Sequence, residues 1–203
     1  MSVFGLTGDW GSGKSTILKE LKKKGAKIIC VDDVIYSAYR KRNSPLYKKI
    51  KTCFPQVIKD SSISLPHLRE VVFSNKQALK KLEEIVHPWI IKKLKMWIKK
   101  AKSGKIHIAE VPLLFEKRLE DFFDAVIFVY VPRRILEARL REITGFSYRA
   151  IRKRLSLFIP SQKKKRQSNI VVRNDGDLAT LRKKISQLWN ALLTFSSEKK
   201  VII

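Results

Sequence analysis

Gly8-Asp9-Trp10-Gly11-Ser12-Gly13-Lys14-Ser15 sets a lysine and a hydroxyl directly behind a glycine-rich turn, in the spacing G-x-x-x-x-G-K-[ST]. That pattern serves phosphate binding. Glycines let the backbone curl until its N–H groups converge on phosphate oxygens, and a helix starting there adds the positive end of its dipole. Lys14 is then placed to reach β- and γ-phosphates, and the Ser15 hydroxyl to hold Mg²⁺. The flanks have the required order: Val3 to Thr7 reads as a short buried strand and Thr16 to Leu21 opens a helix.

A phosphate loop says nucleotide without saying which reaction. Ile28-Ile29-Cys30-Val31-Asp32-Asp33 brings an acidic pair to the end of a second strand. A kinase acting on a hydroxyl needs a carboxylate that orients or deprotonates it. Asp32 at the strand end is the candidate and Asp33 caps the next helix; helix capping by both is the alternative. Arg69 and His87, the latter followed by Pro88, come next. Taken alone, His87 reads as a core histidine and Arg69 as a surface residue. Val111-Pro112-Leu113-Leu114-Phe115-Glu116 follows a strand, where such a turn shapes a pocket or simply packs.

The elements that must position these groups follow from periodicity. Strands are expected at about 3–7, 27–31, 105–111, 125–131 and 170–172. Ala125 to Val131 is almost continuously apolar, as suits a parallel strand covered on both faces. Helices are expected at about 14–24, 134–142, 148–158 and 177–195, with Ser147 as an N-cap and a stop at Pro160. A mostly helical stretch at about 34–102 is too long for one crossover and reads as an inserted lobe. The tail to Ile203 is expected to be frayed. The fold class is therefore α/β, a doubly wound parallel sheet, with the ligand at the C-terminal strand ends. We divide it into a core at about 1–33, 103–138 and 168–195, a helical substrate-binding insertion at about 34–102, and a short helical lid at about 139–167.

The 203 residues carry 44 Lys+Arg against 18 Asp+Glu, a formal net charge of +26. Nucleic-acid binding is the first reading of such a charge. The lysines are nevertheless spread over 22–24, 48–51, 92–100, 163–165 and 199–200, which favours a general surface bias. No nucleic-acid-binding motif accompanies them, so no specific nucleic-acid partner is expected. No apolar run approaches the roughly 20 residues that span a bilayer. Cys30 and Cys53, without metal-type spacing, suggest a reducing compartment, and the chain is expected in the cytoplasm as a monomer or weak homo-oligomer.

Read in order, Gly5-Leu6-Thr7-Gly8, the Gly11–Thr16 run, Asp32, Leu68-Arg69, His87-Pro88, Val111 to Glu116 and Asn174-Asp175-Gly176 resemble the dephospho-coenzyme A kinase family. That family is similar to nucleoside monophosphate kinases, with core, substrate-binding and lid regions. The resemblance implies transfer of the ATP γ-phosphate to the ribose 3′-hydroxyl of dephospho-CoA, giving CoA and ADP, with Mg²⁺ accompanying ATP. By it Asp32 is the base, Lys14 and the backbone of Gly11, Ser12, Gly13, Ser15 and Thr16 hold phosphates, and Arg139 touches the transferring phosphate. Arg69, His87, Leu113 and Leu114 border the acceptor, and Asn174 and Gly176 border adenine. Departures from the family pattern are Cys30, Ile143-Thr144, Phe158 and Asn169.

Other readings compete. One is a P-loop kinase for another nucleoside or nucleotide acceptor, separable by acceptor competition. Another is a basic nucleic-acid-binding protein with an ATP switch, which predicts steeply salt-dependent binding. A third is a catalytically dead binding module, against which the intact Gly13-Lys14-Ser15 and Asp32 argue.

Overall fold

The strand that feeds the glycine-rich turn is buried almost from end to end. In the computed structural model, which describes residues 2–195 and 201–203, β1 (Ser2–Gly8) hides Val3, Phe4 and Leu6. It then hands the chain through the turn to α1 (Lys14–Lys23), whose Ile17, Leu18 and Leu21 form its buried stripe. Next come β2 (Lys27–Cys30) and α2 (Val31–Arg40), with no loop between them.

This junction corrects one expectation. Asp32 does not end the strand; with Asp33 it occupies the first turn of α2, where Cys30 is the N-cap residue. Two carboxylates there meet the positive end of the helix dipole and its unpaired N–H groups, which stabilises the helix start.

The chain divides into two compact units, Cys30–Lys100 and the combination of Met1–Ile29 with Ala101–Ile203. The first contains α2, α3 (Pro45–Cys53), a hairpin of β3 (Ile58–Lys59) and β4 (Ser62–Ile63), α4 (Leu65–Ser74) and α5 (Lys76–Lys99). Its core gathers Ala38, Tyr39, Leu46, Tyr47, Ile50, Phe54, Leu68 and Val72. The hairpin is not foreseen in the expected helical stretch. Its two-residue turn, Asp60 and Ser61, takes positive φ at both positions (45° and 62°), the twist a tight hairpin requires. No glycine marks that turn; the Tyr47 hydroxyl instead holds the Ser61 carbonyl at 2.9 Å.

The other unit is built on the large sheet. Its remaining elements are β5 (Ile106–Glu110), β6 (Ala125–Tyr130), α6 (Arg133–Thr144), α7 (Tyr148–Leu155), α8 (Ser161–Gln167), β7 (Ile170–Arg173), α9 (Leu178–Leu193) and β8 (Val201–Ile202). The strand order is β2-β5-β1-β6-β7-β8. β1 runs parallel to β5 and β6, and β7 runs parallel to β6 and β8. The chain steps to one side of β1 and then to the other, so the crevice at the C-terminal end of β1 is the topological switch point. All six residues of β6 are buried, matching its continuous apolar sequence. Ser147 caps α7 by accepting from the Ala150 amide, and Asp177 caps α9 through the Thr180 amide.

Two expectations fail here. The helix begun at Tyr148 ends at Leu155, short of Phe158, and a further helix, α8, starts after Pro160. The end of the tail is not frayed: Val201 and Ile202 form a strand on β7. The rest of the expected tail, 196–200, lies outside the described residues. Among the described residues no helix is long and apolar enough to cross a membrane.

Candidate active site

The turn after β1 owes its shape to two glycines. Gly11 and Gly13 have φ of +77° and +89°, in the left-handed region that side chains disfavour. A Cβ on Gly11 would come within 2.6 Å of Leu140 Cδ2, and one on Gly13 would strike Asn174 Nδ2. α1 begins at Lys14 with Gly13 as its N-cap residue, so its first unpaired N–H groups adjoin the turn. Lys14 folds back over the loop, its Nζ donating to the carbonyls of Gly8 (3.0 Å) and Asp9 (3.1 Å). Ser12 Oγ is buried without a hydrogen-bond partner, and a Cβ on Gly8 would sit 2.7 Å from it. Ser15 presents its side chain on the exposed side of the first helical turn.

A second strand end closes on this loop. Asn174, buried just after β7, donates from Nδ2 to the Ser12 carbonyl at 2.8 Å and takes its own amide to the Tyr130 carbonyl. Arg139, on α6, donates from one terminal nitrogen to the Asn174 carbonyl (3.0 Å) and from the other to the Gly176 carbonyl (3.2 Å). The structure thus brings together Ser12, Gly13, Lys14, Arg139, Asn174 and Gly176. A planar guanidinium suits this task, because its fork can hold two carbonyls at once.

The α6–α8 segment is fastened to the same loop by two residues that occupy variable positions of the motif. Trp10 packs against a buried cluster of Val131, Leu136, Leu140, Ile151 and Leu155. The Arg154 guanidinium lies 5.0 Å from its ring centroid, a cation–π contact. Asp9 is buried and faces α8: Ser161 Oγ donates to its Oδ2, and Lys164 Nζ lies 3.4 Å from its Oδ1. Lys164 is itself only 2% exposed and also pairs with Glu116 Oε1 at 2.8 Å.

Further out, Glu137 ties α6 to α7. Its carboxylate accepts from Arg133 Nε at 2.5 Å and from Arg152 Nε at 3.0 Å. Burial alone would push this carboxyl up, but the two guanidinium hydrogen bonds outweigh it and hold it below the usual carboxylate range. Arg133, Arg134, Glu137, Ala138, Tyr148 and Arg152 line a cleft of about 780 Å³.

The acceptor-side candidates divide by exposure. Leu114 has no accessible surface and lies under Gly5, whose added Cβ would meet it at 2.7 Å; it is a core residue, while Leu113 is the surface member of the pair. In the Cys30–Lys100 unit, Asp32 and Arg69 are exposed, on α2 and α4. His87 is half-buried on α5 beside the internal Pro88, and its Nε2 is buried without a hydrogen-bond partner.

Residues 2–180 match the family model described as dephospho-CoA kinase. The chain belongs to the dephospho-CoA kinase family. A dephospho-CoA kinase of Aquifex aeolicus is 30% identical over 95% of this chain and 98% of its own length. One from Streptococcus pyogenes is 31% identical over 97% of this chain and the whole of the other. The solved dephospho-CoA kinase of Campylobacter jejuni superposes with a TM-score of 0.72 at 27% identity, covering 94% of this chain and 96% of that one. A shikimate kinase of Bacteroides thetaiotaomicron, 14% identical with a TM-score of 0.58 over 96% and 99% of the two chains, shares the fold. The chain is accordingly a transferase of the P-loop kinase fold, in a family that uses a nucleotide substrate.

Measured against what places a dephospho-CoA kinase's phosphate loop here, sequence reasoning missed Asp9, Trp10, Ser161 and Lys164. Asp9 and Trp10 sit at motif positions where any residue is allowed. Lys164 lies in the Lys163–Lys165 run read as surface charge, and a run of like residues gives no sign that one of them turns inward. The available signal was Pro160-Ser161, a proline–serine helix start.

Proposed function

We propose that this chain transfers the γ-phosphate of ATP to the ribose 3′-hydroxyl of dephospho-CoA, the last step of coenzyme A synthesis. The observation that carries the reading is the family match over residues 2–180, joined to a phosphate loop whose lysine, glycines and Asn174 partner are all in place. In this reaction the 3′-oxygen attacks the γ-phosphorus and the bond to the β–γ bridging oxygen breaks. ADP departs and the hydroxyl proton passes to a carboxylate.

The roles are assigned residue by residue. Lys14 and the backbone of Gly11, Ser12, Gly13, Ser15 and Thr16 hold the β- and γ-phosphates. Lys14 Nζ lies over the loop against the Gly8 and Asp9 carbonyls, and phosphate oxygens would take the place of those acceptors. Asn174 and Gly176 border the adenine. Arg139 acts first as the brace of that border, and its second face remains the candidate contact to transferring phosphate. Asp32 is the base, Arg69 and His87 take acceptor groups, and Leu113 lines the acceptor; Leu114 supports it from beneath. What supports Asp32 is its place directly after β2 and its match to the family's aspartate.

Ser15 offers an exposed hydroxyl oxygen in the first turn of α1, a hard donor of the type Mg²⁺ takes, so the residues present fit that ion. Bound there with ATP, Mg²⁺ would neutralise charge on the β- and γ-oxygens. We place the enzyme in the cytoplasm, as a monomer or weak homo-oligomer without a specific nucleic-acid partner.

The test is coupled ADP release with Mg-ATP, comparing dephospho-CoA with AMP, adenosine and no acceptor. Release only with dephospho-CoA, with CoA among the products, is the expected outcome. Equal or faster turnover with AMP or adenosine would move the chain to another acceptor class.

A further inference from the structure

We propose that Lys164 is a positioning residue for nucleotide binding, which neutralises a carboxylate carried by the phosphate loop itself and pins that loop to α8. The proposal rests on the reading of Gly8–Ser15 as the ATP phosphate loop.

The loop contains an electrostatic contradiction. A site for a tri- or diphosphate must be positive, yet Asp9 brings a carboxylate into it. Like charges at close range oppose each other strongly wherever water is excluded. Asp9 is 8% exposed, so solvent screens it little. Its main-chain carbonyl accepts from Lys14 Nζ, so the carboxylate and the phosphate-binding lysine belong to one residue's reach. Lys14 cannot serve as the counter-ion and still bind phosphate.

α8 resolves the contradiction. Lys164 Nζ stands 3.4 Å from Asp9 Oδ1, and Ser161 Oγ donates to Oδ2, so both carboxylate oxygens are engaged from one helix. Pro160 starts that helix, and the spacing from Ser161 to Lys164 sets the two donors on one face. The lysine is held from its far side by Glu116 Oε1 at 2.8 Å, and the same oxygen accepts from the Ile159 amide at 3.3 Å. A third lysine contact is the Phe158 ring, 5.8 Å to its centroid. Two carboxylates, one at the end of β1 and one in the turn after β5, therefore share one ammonium. Burying a lysine so deeply is unfavourable unless it is paired, and removing it leaves charges buried without compensation. Lys164 acts through Asp9 on the shape and potential of the loop, without touching the nucleotide.

The experiment is calorimetric titration of ADP into the wild type, Lys164→Met, Asp9→Asn and the double variant, with melting temperatures and steady-state constants alongside. Lys164→Met is expected to weaken ADP binding and raise the ATP KM by roughly tenfold or more. The dephospho-CoA KM should stay within about twofold, because in the proposed assignment the loop holds the phosphates of ATP while the acceptor is bound by Arg69, His87 and Leu113. Adding Asp9→Asn to Lys164→Met should recover most of the ADP affinity while the melting temperature stays low, since Glu116 remains without its partner. A purely structural lysine would give no recovery, and that result overturns the proposal, as does wild-type ADP affinity in Lys164→Met. If Lys164→Met does not fold, Ser161→Ala removes only the milder donor to Asp9 and should raise the ATP KM about threefold; an unchanged value overturns the proposal. Failure of the ATP-loop reading would look different, because the wild type itself would bind no ADP.

Discussion

The Arg139 guanidinium donates to the main-chain carbonyl of Asn174 at 3.0 Å while the Asn174 carboxamide donates to the Ser12 carbonyl at 2.8 Å. A helix, a strand end and the phosphate loop are thereby joined by two side chains, neither of which belongs to the loop. The relay explains why Gly13 must lack a side chain: the Asn174 amide occupies the space a Cβ would need.

Arg139→Lys keeps the charge and loses the fork, so it can hold the Asn174 or the Gly176 carbonyl but not both. ATP KM is expected to rise about tenfold, by analogy with the loss of one hydrogen bond made by a charged group. Steady-state kinetics with ATP varied at saturating acceptor checks it. If kcat falls instead and KM holds, Arg139 works mainly on the transferring phosphate.

Lys14→Ala should leave the fold intact, because the substitution removes a donor to the main-chain carbonyls of Gly8 and Asp9 and deletes no side chain from the hydrophobic core. Turnover should fall by roughly two to three orders of magnitude through lost transition-state charge stabilisation. Circular dichroism and kcat measured on the same sample separate folding from catalysis; near-normal kcat would remove Lys14 from its role.

Asp32→Asn is expected to lower kcat about a hundredfold, the low end for a lost general base, with ATP KM within twofold. The substitution also removes one of two acidic groups from the first turn of α2, costing about 0.5 kcal/mol of helix stability. A large loss of ATP affinity would recast Asp32 as an organiser of the metal rather than a base.

Glu137→Gln tests the tie between α6 and α7. The carboxyl is held below its ordinary range in the fold, so its contribution is full at neutral pH, above the unfolded value near 4.3, and fades as pH falls through the lower folded value. The variant should therefore melt below the wild type at pH 7, and the gap should narrow in acid below about pH 4. A pH-independent gap would assign the effect to packing.

Much of this architecture is visible in local sequence because single physical causes dominate there. Ala125 to Tyr130 is apolar throughout and is buried throughout. The glycine-rich run needs positive φ at Gly11 and Gly13, and only glycine supplies it cheaply. Ser147 and Asp177 announce helix starts by chemistry that acts over three residues. What escaped is set by partners distant in sequence. Lys164 turns inward because Asp9 and Glu116 lie 155 and 48 positions away. The Asp60-Ser61 turn holds a backbone form usually left to glycine because Tyr47 secures it. Leu114 and Leu113 are neighbours of the same type, and only the sheet beneath decides which one is core.

The strand at Val201–Ile202 has a consequence for how this protein behaves in a crowded solution. Ile170, Val171 and Val172 of β7 have no accessible surface. With β8 paired to them in parallel, the row of amides and carbonyls along β7 is taken up by the chain's own last residues, Arg173 donating to Ile203 and Ile203 to Val171. Strip those residues away, and a sticky apolar edge is open to the next molecule. A fusion or trimming at that end therefore works on colloidal behaviour: light scattering should register it before any change in melting temperature does.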